Sequence, residues 1–263
     1  MKNLILLFGT PVLLVLVCLS GSCKKPTPEP EKPKIIPTSV TDIDNNTYGV
    51  KRFDNKLWMT ENLRVTRYDT ESSRSGDTIA KADNQSVNIE KPYYRDVRSF
   101  KDSPYTNNLT NEIRDALGFL YNWCAATGMS DNSAAIGGKV QGICPNGWRL
   151  PTSADWDTLC YTLGGQKLAG KKLKSTTGWY TTSGTNESGL NCYPAGLAAA
   201  GPVVAMIGQQ TMFWSLKTQP GNNAKDNVLK LYFNQDNAEV ISINKIQANS
   251  VRCIMDIDAS FVQ

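Results

Sequence analysis

"CPNGWRLPTSADWDTLC", residues 144–160, places a proline turn directly before the start of a helix. Thr152 is a favoured N-cap residue, and Asp155 three positions later completes a capping box with aspartate in place of glutamate. Gly164 and Gly165 follow as a helix stop. The stretch therefore predicts one clear helix near 152–163. Its apolar residues have the spacing i, i+3, i+4 and i+7 of a core-facing stripe: Trp156, Leu159, Cys160 and Leu163.

The reactive groups within this stretch have structural explanations. Asp155 and Asp157 lie in the first turn of the helix, where negative charge interacts favourably with the helix dipole. Cys160 falls on the apolar stripe, and burial of a thiol raises its pKa and lowers its reactivity. We therefore expect no catalytic residue in this part of the chain.

Alternating apolar residues predict short strands on both sides of the helix. Residues 40–63 carry turn signals at 44–46 and 54–55 and predict a β-hairpin or meander, with Trp58 in the core. Residues 227–245 predict a second hairpin around the turn NQDN. Further strands are expected in three places: a turn with a short strand over 142–150, the segment 212–216, and a strand within 249–256.

Two stretches have less regular patterns. Residues 69–108 are polar and predict loops with one short strand near Tyr93 and Tyr94. Residues 109–128 predict a short helix up to about Leu117, followed by a strand in which aromatic residues alternate with others. Together these patterns predict an α+β fold, a single domain of mostly short antiparallel strands and loops.

The chain begins with a secretory signal. An apolar run from Leu4 to Leu19 follows a lysine, and three small residues then lead to Cys23. The run is near the lower length limit for a membrane span, and Gly9 and Pro11 interrupt it. It resembles a bacterial lipoprotein signal, which predicts cleavage of residues 1–22 and acylation of Cys23. An ordinary cleaved signal with an incidental cysteine is the alternative.

A proline-rich spacer follows the predicted lipid attachment site. Residues 23–38 alternate prolines with charges, a composition that favours extended polyproline II over a packed core. A membrane-anchored body spanning 39–258 is therefore expected, with affinity supplied by the acyl chains. We expect an outer-membrane lipoprotein of the cell envelope, with the periplasmic and the surface-exposed face left open.

Composition excludes several kinds of chemistry. The 263 residues include no histidine, which excludes Ser-His-Asp and Cys-His nucleophiles and imidazole metal sites. The net charge is only +4, and the densest basic stretch, KLAGKKLKS at 167–175, is interpreted as a solvated face. We therefore expect no nucleic-acid partner and no cofactor.

The cysteines favour disulfides over metal binding. Five remain after the signal and lipid cysteines are set aside, and no CxxC motif is present. In an oxidising compartment such spaced cysteines predict disulfides. Because five is odd, at least one is free or pairs with another chain. The five are Cys124, Cys144, Cys160, Cys192 and Cys253.

Six segments in order carry a resemblance to a known family. They are DIDNNTYGVKRFDNKLWMTENLRVTRYD (42–69), GFLYNWCAATG (118–128), GICPNGWRLPTSADWDTLCYTLGG (142–165), SGLNCYPAGL (188–197), MFWSL (212–216) and SVRCIMD (250–256). Over about 40–256 the chain resembles the Fibrobacter succinogenes major paralogous domain, found in lipoproteins of Bacteroidetes-type bacteria. That resemblance implies a C-type-lectin-like fold, shared with formylglycine-generating (sulfatase-modifying) enzymes, and implies no established activity.

The resemblance also bears on particular residues. The family often has cysteines at the positions of Cys144 and Cys253, which implies a disulfide between them. C-type lectins tie their first helix to their last strand, which would instead pair Cys160 with Cys253. The family usually has histidine where Arg149 stands, so no role of that histidine can apply here.

The leading functional hypothesis is a non-catalytic binding or adhesion module with glycans as candidate ligands. By analogy with lectin-like folds, the loops at 183–222 would form the contact surface. Exposed aromatic rings could stack on sugar rings. The side-chain oxygens at 186, 187 and 191 are a weak candidate for calcium ligands, and we expect no bound metal. The candidate contact residues are Trp179, Tyr180, Asn186, Glu187, Asn191 and Tyr193.

Two alternatives belong to other classes. The first is a structural or pilus-accessory envelope protein that binds other proteins. The second is an enzyme related to formylglycine-generating enzymes, whose chemistry uses a paired cysteine site that binds copper. No closely spaced cysteine pair is present, which leaves Cys192 as the remaining thiol for such chemistry.

Overall fold

Short strands in four sheets make up most of the secondary structure. The computed structural model describes residues 34–82, 91–100, 109–129, 138–181, 184–199, 203–217 and 224–262. The predicted signal peptide, Cys23 and most of the spacer lie outside these residues. The strands are β1 Lys34–Ile35, β2 Ser39–Thr41, β3 Thr47–Phe53, β4 Lys56–Met59, β5 Ala80–Lys81, β6 Tyr93–Asp96, β7 Phe119–Asn122, β8 Leu197–Ala198, β9 Val204–Ala205, β10 Gln210–Ser215, β11 Lys225–Tyr232, β12 Ala238–Asn244, β13 Ala248–Asn249, β14 Ile254–Asp256 and β15 Phe261–Val262.

The helices are short. In the described residues they are α1 Asn111–Ala116, α2 Trp123–Thr127, α3 Ser153–Thr162 and α4 Gln166–Leu173, with a 3-10 turn at Val97–Ser99. None of the helices described is long and apolar enough to span a lipid bilayer.

The prediction of an α+β fold is wrong, because the protein is β-rich. In the described residues, strand residues outnumber α-helical residues by about two to one. The predicted helix near 152–163 is confirmed as α3, but α2 and α4 were not expected. Asn122 ends the strand β7 early, because its side chain accepts a hydrogen bond from the Ala125 amide and caps α2.

The sheets connect distant parts of the chain. Their strand orders are β2-β3-β4-β14, β10-β11-β12, β5-β6-β7-β13-β8-β9 and the two-stranded pair β1-β15. Both predicted hairpins, β3-β4 and β11-β12, are confirmed. The expected strand near Arg149 is reduced to a single bridge with Ile254. In the pair β1-β15 the strands run parallel, with Lys34 opposite Phe261.

The β10-β11-β12 sheet lies between two apolar clusters. Successive residues of a strand point to opposite faces, and here Val228 joins one cluster while Leu229 joins the other. Trp58 and Trp156 pack against each other in the second cluster, with ring centroids 4.6 Å apart. Both tryptophans are at most 1% exposed, which confirms the expected core position of Trp58.

The helix α3 has the predicted N-terminal cap. The Thr152 hydroxyl accepts from the Asp155 amide, and the Asp155 carboxylate accepts from the Thr152 amide, so both halves of the capping box are present. The same carboxylate binds Arg149, with Nη1 to Oδ2 at 2.8 Å. Asp155 therefore has the structural role expected from the sequence.

Cys144 and Cys253 form a disulfide, with Cα atoms 5.8 Å apart. The pairing that the family resemblance implied is confirmed, and the pairing of Cys160 with Cys253 is wrong. Cys160, on α3, and Cys192 are buried free thiols, and Cys124 is buried as well. The bridge joins the segment before α3 to the segment before β14.

Candidate functional site

Three aromatic side chains form a continuous surface cluster, which we call the aromatic platform: Tyr180, Tyr232 and Phe233. The Tyr180 and Phe233 rings meet edge to face, with centroids 5.5 Å apart. The Tyr232 and Phe233 centroids are 4.9 Å apart. Tyr180 is 49% exposed, and the other two rings are half-buried. Their mutual contacts hold the three rings together at the protein surface.

One turn binds the backbones of two platform residues, Tyr180 and Phe233. The amide of Tyr180 donates to the Gly208 carbonyl at 2.7 Å, and the amide of Phe233 donates to the Gln209 carbonyl at 2.7 Å. Gly208 has a left-handed φ of 81°, which a glycine adopts without strain. The turn before β10 therefore positions two rings that are far apart in sequence.

A buried ammonium group lies beneath the platform. Lys174 is 0% exposed, and its Nζ donates to the carbonyls of Tyr232, Phe233 and Gln235 at 3.3, 3.2 and 2.9 Å. Burial lowers the pKa of Lys174. The interpretation of residues 167–175 as a solvated face is therefore wrong at this position, because the last lysine of the stretch points into the protein.

The platform has a polar border on the hairpin β11-β12. Lys230 Nζ lies 5.5 Å from the centroid of the Tyr232 ring and 4.0 Å from Glu239 Oε2. Asn237 Nδ2 donates to Glu239 Oε1 at 2.6 Å. Ring faces bordered by an amide, a carboxylate and an ammonium group suit a ligand that has both apolar and hydroxyl-rich faces.

Of the candidate contact residues from the sequence, only Tyr180 belongs to the platform. Trp179 is buried at 7% exposure, and its Nε1 donates to Ser175 Oγ at 3.2 Å. Tyr193 is half-buried and packs against an apolar cluster that contains Ala195 and Ile207. Glu187 is exposed and lies 3.5 Å from Lys172 Nζ. Tyr232 and Phe233 were not among the contact residues predicted from the sequence. Both lie at the end of a strand, directly before the turn NQDN, where side chains commonly reach the surface.

The candidate calcium set is held together by its own hydrogen bonds. Asn186 Nδ2 donates to Asn191 Oδ1 at 2.6 Å, and the Asn191 amide donates to Asn186 Oδ1 at 2.8 Å. Both residues have left-handed φ angles, 50° and 47°, so the pair closes a tight loop. Within the described ranges no group of three or more acidic or cysteine side chains is placed to hold a metal ion.

The free thiols are poor nucleophiles. Burial raises the pKa of Cys160 to about 12 and also raises the pKa of Cys192. Both side chains are 0% exposed. Because the thiolate is the reactive form, little of either thiol is available for chemistry at neutral pH.

Two other buried ionisable groups have structural surroundings. Burial raises the pKa of Asp226, whose carboxylate accepts from Trp123 Nε1 at 2.8 Å. Arg252 is 1% exposed and donates from Nε to Asn62 Oδ1 at 2.9 Å and from Nη2 to the Asn191 carbonyl at 2.9 Å. Burial lowers the pKa of Arg252. Each group ties separate segments together inside the protein.

Comparison with known proteins gives one family match. The model of the family described as the Fibrobacter succinogenes major domain matches residues 52–255. No curated protein and no solved structure matches the chain. The expected relationship to C-type-lectin-like folds and to sulfatase-modifying enzymes is not confirmed.

Proposed function

The chain belongs to the Fibrobacter succinogenes major domain family, and on that premise we propose that it is a non-catalytic glycan-binding module of the cell envelope. In this proposal acyl groups on Cys23 anchor it to the outer membrane, and the proline-rich spacer separates the body from the lipid. The aromatic platform holds the glycan. The observation that carries the proposal is the contact series of Tyr180, Phe233 and Tyr232 at the surface.

The chemistry of the platform supports a sugar ligand. One face of many pyranose rings presents C–H groups, and covering an aromatic face with them removes apolar surface from water at about 25 cal/mol per Å². The sugar hydroxyls would meet Asn237 and Glu239 on the polar border. The anchored Lys174 keeps the platform in place before a ligand arrives, which reduces the entropy lost on binding.

The reactive groups support a binding role over a catalytic one. Catalysis by histidine is excluded by composition. The thiols of Cys160 and Cys192 are buried, and burial raises the pKa of both. Hydrogen bonds from Arg149 hold the pKa of Asp256 well below its usual range, so this carboxylate is a poor proton donor at neutral pH.

The test is a glycan array probed with the mature chain from residue 23 onward, oxidised and made without lipid by Cys23→Ser. We expect selective binding that survives a calcium chelator, because ring faces rather than a metal hold the ligand. Tyr180→Ala and Tyr232→Ala should each abolish most of the signal. Tyr161→Ala is the matched control, since Tyr161 is an 82% exposed tyrosine on α3, outside the platform.

Two results would contradict the proposal. Binding that is lost with the chelator but kept in both platform variants would assign the ligand to another, metal-dependent site. Silence on a broad array from a folded protein would favour the alternative of a structural or pilus-accessory protein that binds other proteins. Pull-down from the native envelope would then identify the partner.

A further inference from the structure

The corner between α3 and α4 exposes apolar and basic side chains together. Tyr161, in the last turn of α3, is 82% exposed, and Leu168, in the first turn of α4, is 51% exposed. Exposed large apolar side chains are few among the described residues, and the others are Ile35, Tyr180 and Val203. Tyr161 and Leu168 therefore lie on either side of the turn between α3 and α4, and both expose apolar surface there.

Gly164, in the turn, lies close to the side chains of Leu168 and Lys172 and to the backbone of Tyr161. If Gly164 carried a Cβ atom, that atom would lie 4.0 Å from Leu168 Cδ1 and 3.8 Å from Lys172 Nζ, so both side chains lie next to this residue. The Gly164 amide donates to the Tyr161 carbonyl at 3.0 Å. Gln166 Nε2 donates to Asp157 Oδ1 at 2.9 Å, so the start of α4 lies against the side of α3 that carries Asp157 and Tyr161.

The exposed side of α4 is basic. Ala169, Gly170 and Leu173 are buried on the other side of this helix. Lys167 and Lys171 are exposed, and within the described residues neither has a carboxylate at ion-pair distance. Lys172 lies 3.5 Å from the exposed Glu187. Helix α4 contains no acidic residue, so its outer side carries a net positive charge. The surface ion pair between Lys172 and Glu187 is weak and offsets this charge only in part.

From this geometry we propose that the α3-α4 corner is a second membrane contact, which rests on an anionic lipid surface. Leu168 and Tyr161 enter the headgroup region, while Lys167, Lys171 and Lys172 face the lipid phosphates. A polar helix side rich in lysine next to leucine and an aromatic residue is the composition that interfacial contacts use. The inference rests on the envelope location proposed above, and it does not depend on the glycan.

The predicted tether is long enough for such a contact. The eleven residues 23–33 that precede β1 would extend by roughly 3 Å each in polyproline II, which gives a reach of about 30 Å from the acylated cysteine. Acyl chains hold the protein at the membrane, so a weak second contact acts at high effective concentration and orients the body.

The experiment measures vesicle binding by the mature chain with Cys23→Ser, so that no acyl chain contributes. Vesicles of phosphatidylcholine are compared with vesicles in which roughly one third of the lipid is phosphatidylglycerol. We expect co-sedimentation with the anionic vesicles alone, weakened by salt because the phosphate contacts are screened. The combined variant Lys167→Gln, Lys171→Gln and Lys172→Gln should lower the partition by about tenfold or more, since each lysine near the surface contributes separately. Leu168→Ser should lower it severalfold.

A charge-matched control separates this corner from net charge. The variant Lys51→Gln, Lys91→Gln and Lys225→Gln removes three exposed lysines elsewhere and should bind as the wild type does. Three outcomes would overturn the inference. The control variant could lose as much vesicle binding as the α4 variant, or the wild type could bind neutral and anionic vesicles equally, or it could bind neither. Thermal melting of each variant shows that the fold is intact. Because the readout contains no glycan, its failure is distinct from failure of the glycan platform.

Discussion

The ammonium nitrogen of Lys174 lies 5.3 Å from the centroid of the Trp179 ring. This contact joins the end of α4 to the segment that carries Tyr180. The same nitrogen donates to the carbonyls of Tyr232, Phe233 and Gln235. One buried cation therefore links the two chain segments that form the aromatic platform, and it holds the rings in contact in the absence of a ligand.

Lys174→Met should destabilise the protein and weaken glycan binding together. The substitution removes the Nζ donor from the Tyr232, Phe233 and Gln235 carbonyls, and a hydrogen bond from a charged group contributes about 1.5–3 kcal/mol. Denaturant unfolding measures the loss, and the glycan array reports the platform. Lys171→Met is the control, because Lys171 is an exposed lysine of the same helix and should change neither measurement. Equal behaviour of the two variants would show that Lys174 has no special role.

The disulfide should contribute strongly to stability. Cys144 and Cys253 are 109 positions apart, and closing a loop of this size is worth about 5 kcal/mol in the chain-entropy model. Peptide mapping without reduction should recover the linked peptides, and a reductant should lower the unfolding midpoint. The double variant Cys144→Ala with Cys253→Ala should not respond further to the reductant. A response in that variant would place another disulfide in the protein.

The ion pairs around Arg149 should make stability depend on acidic pH. Hydrogen bonds from Arg149 lower the pKa of Asp256 from its ordinary 3.8. A carboxylate whose folded pKa is depressed contributes stability above its unfolded pKa, and that contribution is lost as pH falls through the folded pKa.

Arg149→Met should therefore lower the free energy of unfolding at neutral pH by about 2 kcal/mol, because a hydrogen bond to a charged group is lost at both Asp155 and Asp256, although Lys56 remains 3.5 Å from Asp155 and Lys139 remains 2.9 Å from Asp256. The difference from wild type should shrink as pH falls below about 4. Urea unfolding across this range gives the measurement. Arg52→Met is the control, since Arg52 is exposed and donates to a backbone carbonyl. A difference that stays constant with pH would contradict the assignment.

The free thiols should resist modification in the folded protein. Cys160 and Cys192 are 0% exposed, so iodoacetamide should label neither before unfolding and both after it, as read by mass spectrometry. Thr162→Cys supplies an exposed thiol on the same helix and should be labelled quickly. Rapid native labelling of Cys192 would instead revive the alternative of thiol chemistry.

Local signals explain what could be read from the sequence. The start of α3 depends on Thr152 and Asp155, which are three residues apart, and the turn NQDN closes a hairpin between adjacent strands. Such features are encoded within a few residues. The capping residue of α2, Asn122, is an equally local feature. The start of α2 was not predicted, because the alternating aromatic residues around Asn122 favoured a continuing strand.

The platform depends on contacts between distant residues. Lys174 is buried because carbonyls 58 to 61 positions later satisfy its ammonium group, and nothing within its own helix indicates this. Tyr180 and Phe233 meet because the turn at Gly208 and Gln209 binds both backbones. The sequence could indicate exposed tyrosines in this region, and it could not indicate which rings would touch.

The parallel pairing of β1 with β15 has a mechanical consequence. Lys34 and Phe261, the first residues of the two strands, lie opposite each other, and the Lys34 amide donates to the Ser260 carbonyl at 2.8 Å. A force applied to the chain before Lys34 would break the hydrogen bonds between β1 and β15 one after another, rather than all at once. Force applied through the proposed lipid anchor would then detach the first residues of the body before it reached the core that the disulfide between Cys144 and Cys253 links.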